Sequence, residues 1–108
     1  AGGEDMSVMV EFSIVPMGTG ASVSPVIAKI MKIVMASKVD YRANPMGTVL
    51  EGDWDTVMAV VKACHGAALQ EAERVITTIK IDDRKGAGQR MDRKLESVEE
   101  KLGTKLRT

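Results

Sequence analysis

The chain has 108 residues, which is enough for one domain with a hydrophobic core and too few for two. Its 15 basic residues balance its 15 acidic ones, so the charge gives no reason to expect nucleic acid or an anionic membrane as a partner. The single cysteine, Cys64, excludes an internal disulfide, and no apolar run reaches the roughly 18 residues of a membrane helix. These features predict a cytoplasmic protein.

The expected domain covers residues 6–103, with a final helix at about 90–103 and a short tail at 104–108. Residues 1–5 are interpreted as a disordered lead or a remnant of expression, because Met6 is a plausible native start.

One tetrapeptide occurs twice, as Pro16-Met17-Gly18-Thr19 and as Pro45-Met46-Gly47-Thr48. Proline fixes its own φ and glycine permits a positive φ, so each copy has the chemistry of a turn. We interpret the first copy as a strand-to-helix corner and the second as a tight turn between strands. Two hypotheses remain open: both copies are only turns, or together they build a ligand pocket.

The first strand is predicted from strict alternation over residues 7–15, with one apolar face formed by Val8, Val10, Phe12 and Ile14. After the first corner, Ser22 or Ser24 is the expected helix cap, and Pro25 suits the first turn. This helix ends near Ser37, and its inner residues are Val23, Val26, Ile27, Ile30 and Val34.

A hairpin follows, with strands at 40–44 and 48–51 joined through the second tetrapeptide. Asp53 or Asp55 begins the next helix, and residues 74–82 form the clearest strand of the chain. Gly86-Ala87-Gly88 breaks the chain before the final helix. That helix has a narrow apolar stripe of Met91, Leu95, Val98 and Leu102, so we expect it to dock on its own sheet or on a partner.

This order predicts the α+β class and a ferredoxin-like βαββαβ antiparallel sheet, with two helices on one face and an extra C-terminal helix. Right-handed crossovers bring the first corner and the hairpin to the same edge of the sheet, together with the segment near Glu73 and Arg74. The sheet face without helices carries Met9 and Val15, which favours self-association.

Catalytic and metal motifs are not expected in this sequence. His65 follows Cys64 directly in a helix, where neighbouring side chains diverge by about 100°, so the two do not form a natural metal pair. No phosphate-binding loop or dinucleotide fingerprint occurs. An RNA-reading sheet needs stacking aromatics, and Phe12, the one strand-one candidate, points to the core.

Three motifs in order resemble the YkoF-like thiamine-binding family, whose small members were long described as a domain of unknown function. They are the first corner, Val15-Pro16-Met17-Gly18-Thr19-Gly20 with Ser22-Val23-Ser24, the hairpin Asn44-Pro45-Met46-Gly47-Thr48, and the strand from Arg74 to Arg84. The resemblance covers about residues 6–102.

The resemblance implies a ferredoxin-like monomer, dimers whose sheets associate, commonly a homotetramer, and binding of thiamine or its hydroxymethylpyrimidine part without catalysis or a cofactor. The ligand-binding residues that it implies are Thr19, Ser22, Ser24, Met46, Gly47 and Thr48. The neutral hydroxyls suit an aminopyrimidine, whereas the cationic thiazolium would favour a carboxylate such as Glu11 or Glu51.

A second hypothesis is a structural or regulatory interaction module, in which the open sheet face and the final helix build an oligomer. An enzyme such as an acylphosphatase-like hydrolase of the same topology is a distant third. Such a site needs an arginine in the loop after strand one, and residues 16–24 contain none.

Overall fold

The computed structural model describes residues 7–18, 23–85 and 90–107, and the side chains of the last helix from Lys94 onward. In chain order the elements are β1 (Ser7–Met17), α1 (Ser24–Ser37), β2 (Asp40–Asn44), β3 (Gly47–Asp53), α2 (Trp54–Glu71), β4 (Arg74–Asp82) and α3 (Arg90–Leu102). The predicted lead at 1–5, Thr19, Ser22, the break at 86–88 and the Met91 side chain lie outside this description.

The alternation predicted for β1 is confirmed. Val8, Val10, Phe12 and Ile14 are buried, while the side chains between them are exposed or half-buried. The strand is longer than expected, however, because Pro16 and Met17 still pair with Val75 and Arg74 of β4. The first corner therefore begins at Gly18, whose φ is +83°, and not at Pro16.

The four strands form one sheet in the order β2-β3-β1-β4, with every neighbouring pair antiparallel. This is the ferredoxin-like arrangement that the element order predicted. The end of β1, the β2–β3 hairpin and the start of β4 consequently lie at one edge of the sheet. At that edge the Glu73 side chain lies about 3.4 Å from the position that a Cβ on Gly18 would occupy.

Helix α1 begins differently from the prediction. Its N-cap is Val23, which makes no side-chain cap bond, and Ser24 is already helical, with Pro25 beside it in the first turn. Val26, Ile30 and Val34 are buried in the core, as predicted.

Val23 and Ile27, which were also predicted for the inner face of α1, are not buried. Val23 and Ile27 are about 40% exposed. They lie on a neighbouring stripe that the helix does not bury against the sheet.

The hairpin is a two-residue loop, since Asn44 pairs with Gly47 across it. The Asn44 side-chain oxygen accepts a hydrogen bond from the Met46 N–H at 2.9 Å, which fixes the turn. Gly47 does not adopt a positive φ, contrary to the turn chemistry assigned to it. Its requirement is spatial, because an added Cβ would lie 2.9 Å from the carbonyl oxygen of Phe12.

Helix α2 is capped by Asp53, one of the two predicted residues. The Asp53 carboxylate accepts hydrogen bonds from the Thr56 N–H at 3.0 Å and the Thr56 hydroxyl at 2.7 Å. The inner residues of α2 pack with α1, β1 and Leu50 of β3 into one core. Leu50 is fully buried there, where truncation to alanine typically costs about 2 to 5 kcal/mol.

The final helix differs from the others in its burial. Lys94 pairs with Asp82 at the end of β4, yet Val98 and Leu102 on its apolar stripe are 45% and 58% exposed. The described part of the chain therefore leaves that stripe largely uncovered. No helix among the described residues combines the length and apolar character needed to cross a membrane.

Candidate functional site

A cleft of about 470 Å³ opens at the sheet edge where β1 ends, between the start of α1 and the β2–β3 hairpin. Its size falls within the range of small-molecule sites. The apolar lining consists of Phe12, Ile14, Val15, Val23, Ile27, Ile30, Met31, Ala43, Pro45 and Met46, and the remaining lining residues are Ser13, Asn44, Gly47 and Thr48. The cleft is thus mostly apolar with a few polar groups, as ligand pockets usually are.

Thr48 supplies a buried hydroxyl to this cleft. Thr48 is only 7% exposed, and its Oγ1 donates a hydrogen bond to the Met31 sulfur at 3.7 Å. A thioether is a weak acceptor, so a ligand oxygen or ring nitrogen can replace it with a gain in hydrogen-bond strength.

The hairpin side of the cleft is held in a defined shape. The Asn44 amide oxygen is engaged by the Met46 N–H, and the Met46 side chain is 85% exposed at the tip of the turn. Gly47 lies directly against β1, which keeps the hairpin close to the strand. The hydrogen-bonded turn and the exposed, unbranched methionine side chain together suit contact with a ring that enters from solvent.

No charged side chain lines the cleft among the described residues. The sequence between Gly18 and Val23, Thr19-Gly20-Ala21-Ser22, adds no charge either. Glu11 and Glu51 lie on the opposite sheet face, because the register places them between the core residues of β1 and β3. Neither glutamate is among the residues that line the cleft, so the described lining offers a thiazolium no carboxylate.

The six sequence-predicted site residues divide into three groups. Met46, Gly47 and Thr48 line the cleft together. Ser24 lies in the first turn of α1 and is exposed, outside the lining. Thr19 and Ser22 are not among the described residues.

Sequence reasoning missed the α1 wall of the cleft, formed by Val23, Ile27 and Met31. Their spacing of four places them on one helical stripe beside the core stripe. The apolar face of α1 is wider than packing against the core requires, and this width was the signal that could have identified them. Ser13 and Asn44 also line the cleft and were not among the predicted site residues.

Cys64 and His65 both contact other elements of the fold. Burial raises the pKa of the Cys64 thiol to about 11, and its sulfur lies 3.7 Å from the Ile30 carbonyl oxygen. His65 Nδ1 shares a hydrogen bond with Thr77 Oγ1 at 2.6 Å. The described residues contain no cluster of three or more potential metal ligands.

Comparison with known proteins identifies the family. A family model described as thiamine-binding protein matches residues 10–99, which is most of the chain. The chain belongs to this thiamine-binding protein family. This is the family that the three sequence motifs predicted.

The chain is also similar in sequence and fold to curated proteins and solved structures. The chain is 39% identical to UPF0045 protein MJ1052 of Methanocaldococcus jannaschii over 86% of its own length and 93% of the relative's. The crystal structure of MJ1052 superposes with a TM-score of 0.81, covering 88% of this chain and 98% of that one. A domain of unknown function, DUF77, from Bacillus cereus gives a TM-score of 0.77 at 37% identity, covering 83% and 88%.

Proposed function

We propose that this protein is a non-catalytic binding protein for thiamine or its hydroxymethylpyrimidine part, and that the cleft between β1, α1 and the β2–β3 hairpin is its pocket. The observation that carries the proposal is a mostly apolar, uncharged cleft into which Thr48 presents a buried hydroxyl, whose one side-chain partner among the described residues is the Met31 thioether. Membership of the thiamine-binding protein family supports the choice of ligand.

The proposed ligand contacts are Thr19, Ser22, Ser24, Met46, Gly47 and Thr48, to which the cleft adds Asn44 and Met31. An aminopyrimidine needs hydrogen-bond donors and acceptors without charge, and the lining described above offers them. Each neutral hydrogen bond contributes only about 0.5 to 1.5 kcal/mol net. Specific binding therefore depends on several of them acting together with apolar contact to the ring.

Calorimetric titration with thiamine, thiamine diphosphate and hydroxymethylpyrimidine tests the proposal. We expect micromolar or tighter binding of thiamine, about −8 kcal/mol, and a loss of roughly 2- to 10-fold in Thr48→Val. Thr78→Val is the matched control, because Thr78 is an exposed threonine on β4 outside the cleft. Unchanged affinity in Thr48→Val would reject the cleft as the binding pocket. Absence of measurable binding by all three ligands would reject the proposed function.

A second proposal concerns assembly, with a second copy of this chain as the partner and a homotetramer as the expected state. The open sheet face supports it, since Val15 and Ile76 lie opposite each other there and are 52% and 44% exposed. The uncovered stripe of α3 offers a second apolar surface of the same kind. Under this proposal the protein acts in the cytoplasm as an oligomer, and neither nucleic acid nor a membrane is a partner.

A further inference from the structure

The backbone of β1 has a defined direction at the cleft. A Cβ on Gly47 would lie 2.9 Å from the Phe12 carbonyl oxygen, so the Phe12 carbonyl points toward β3. Along a strand, the N–H and C=O groups of one residue point to the edge opposite those of the next residue, so every second residue points to the same edge. The backbone groups of Ile14 and Pro16 therefore point to the same side as those of Phe12, while those of Ser13 and Val15 point toward β4.

On this side β1 extends beyond its neighbour. The last β1–β3 pair is Phe12 with Thr48. If the two strands continued, the next hydrogen-bonded pair on this side would be Ile14 with Met46. Met46 is in the hairpin turn and gives its N–H to the Asn44 side chain instead. Among the described residues, Ile14 thus has no backbone partner on the edge that faces β3, and it lines the cleft there.

This free edge suits a small ring better than an added strand. Pro16 has no N–H, so the edge offers the N–H and C=O of Ile14 and only one further carbonyl. A pairing strand needs a longer alternating ladder of donors and acceptors. The hairpin at Gly47 also closes one end of the edge. A flat ring with one donor beside one acceptor satisfies the Ile14 pair completely.

We propose that the main-chain N–H and C=O of Ile14 form hydrogen bonds with the edge of a 4-aminopyrimidine. This inference rests on the proposed function. The Ile14 N–H donates to the ring nitrogen next to the amino group, and the amino group donates to the Ile14 carbonyl oxygen. Neither bond needs a charged partner, which agrees with the uncharged lining. Thr48, which pairs with Phe12 at the end of the same ladder, is the next polar group along the cleft wall.

Amide hydrogen exchange followed by NMR on the full chain tests this assignment. In the free protein we expect the Ile14 amide to exchange faster than those of Ser13 and Val15, whose N–H groups face β4. Hydroxymethylpyrimidine at ten times its Kd should then slow exchange at Ile14 by about 10-fold, with smaller changes at the two neighbours. A protected Ile14 amide in the free protein would overturn the proposal.

A ligand analogue and a variant provide independent readouts. Replacing the 4-amino group of the pyrimidine by hydrogen removes one of the two hydrogen bonds, and we expect roughly 2- to 10-fold weaker binding. Ile14→Pro removes this N–H together with a buried core side chain, so circular dichroism must first show that the variant is folded, and the folded variant should lose affinity. Ile14→Val keeps the N–H and is the matched control.

The outcomes separate this inference from the proposed function. Thiamine binding with unchanged Ile14 exchange, or equal affinity for the analogue without the amino group, would reject the Ile14 assignment alone. Absence of any binding would reject both proposals.

Discussion

Gly47 lies so close to β1 that a Cβ added to it would be 2.9 Å from the carbonyl oxygen of Phe12. This contact brings the β2–β3 hairpin against the strand and forms one end of the cleft. Gly18, at the same position in the other copy of the tetrapeptide, has a different requirement, since its φ is +83°. The two identical sequences therefore need glycine for different physical reasons.

The contact predicts that Gly47→Ala is destabilising. Overpacking against a backbone oxygen that cannot rotate away typically costs about 1 to 3 kcal/mol. Gly66→Ala is the control, because a Cβ there meets nothing within 4 Å and should stabilise α2 by up to about 1 kcal/mol. Denaturant unfolding of both variants measures the difference. Equal effects of the two substitutions would show that the Phe12 contact is not constraining.

The uncharged lining predicts that the protein prefers thiamine to thiamine diphosphate, and that one substitution can shift this preference. Ile27 is a partly exposed residue of the α1 wall. Ile27→Lys should raise the affinity for the diphosphate relative to thiamine by roughly 2- to 5-fold, as expected for a solvent-accessible ion pair. Titrations at low and high salt check that the gain is electrostatic. Ile27→Gln is the uncharged control and should leave the ratio unchanged.

The exposed stripe of α3 predicts an effect on assembly. Replacing Val98 and Leu102 together by glutamate places two charges on the surface proposed to meet a second copy. We expect a lower mass by light scattering, without a loss of helical signal by circular dichroism. Ser97→Glu, one residue away and also exposed, should leave the mass unchanged. A double variant with the parent mass would remove α3 from the interface.

The buried thiol of Cys64 leads us to expect that the free energy of unfolding falls at high pH. The pKa of the buried thiol is raised from 9.0 to about 11, so between these values the unfolded chain releases a proton that the folded chain retains. The wild-type free energy of unfolding should therefore fall relative to that of Cys64→Ala as the pH rises through this window, by at most about 1.4 kcal/mol per pH unit. Below pH 9 the difference should be constant. Denaturant titrations at pH 7.5, 9 and 10.5 measure it, and a constant difference throughout would contradict the buried neutral thiol.

The periodicity of apolar residues and the turn-forming residues were enough to predict the architecture from the sequence. The alternation of β1 and the β-branched run of β4 depend on local side-chain direction, which each segment carries in its own order of residues. The ferredoxin-like sheet then followed from the order of elements and the handedness of their connections. The three motifs likewise identified the thiamine-binding protein family, and the hairpin half of the cleft at Met46, Gly47 and Thr48 was among the predicted residues.

Only the tertiary structure decided where the strand ladders stop and what the unpaired edge faces. The sequence predicted a corner that begins at Pro16, but β4 extends the pairing through Met17, which moves the turn to Gly18. Val23 and Ile27 were assigned to the core by helical period, yet the helix covers the sheet with the adjacent stripe and leaves them in the cleft. Such outcomes depend on register and on the approach of distant backbones, such as Gly47 to Phe12, which no local pattern of residues encodes.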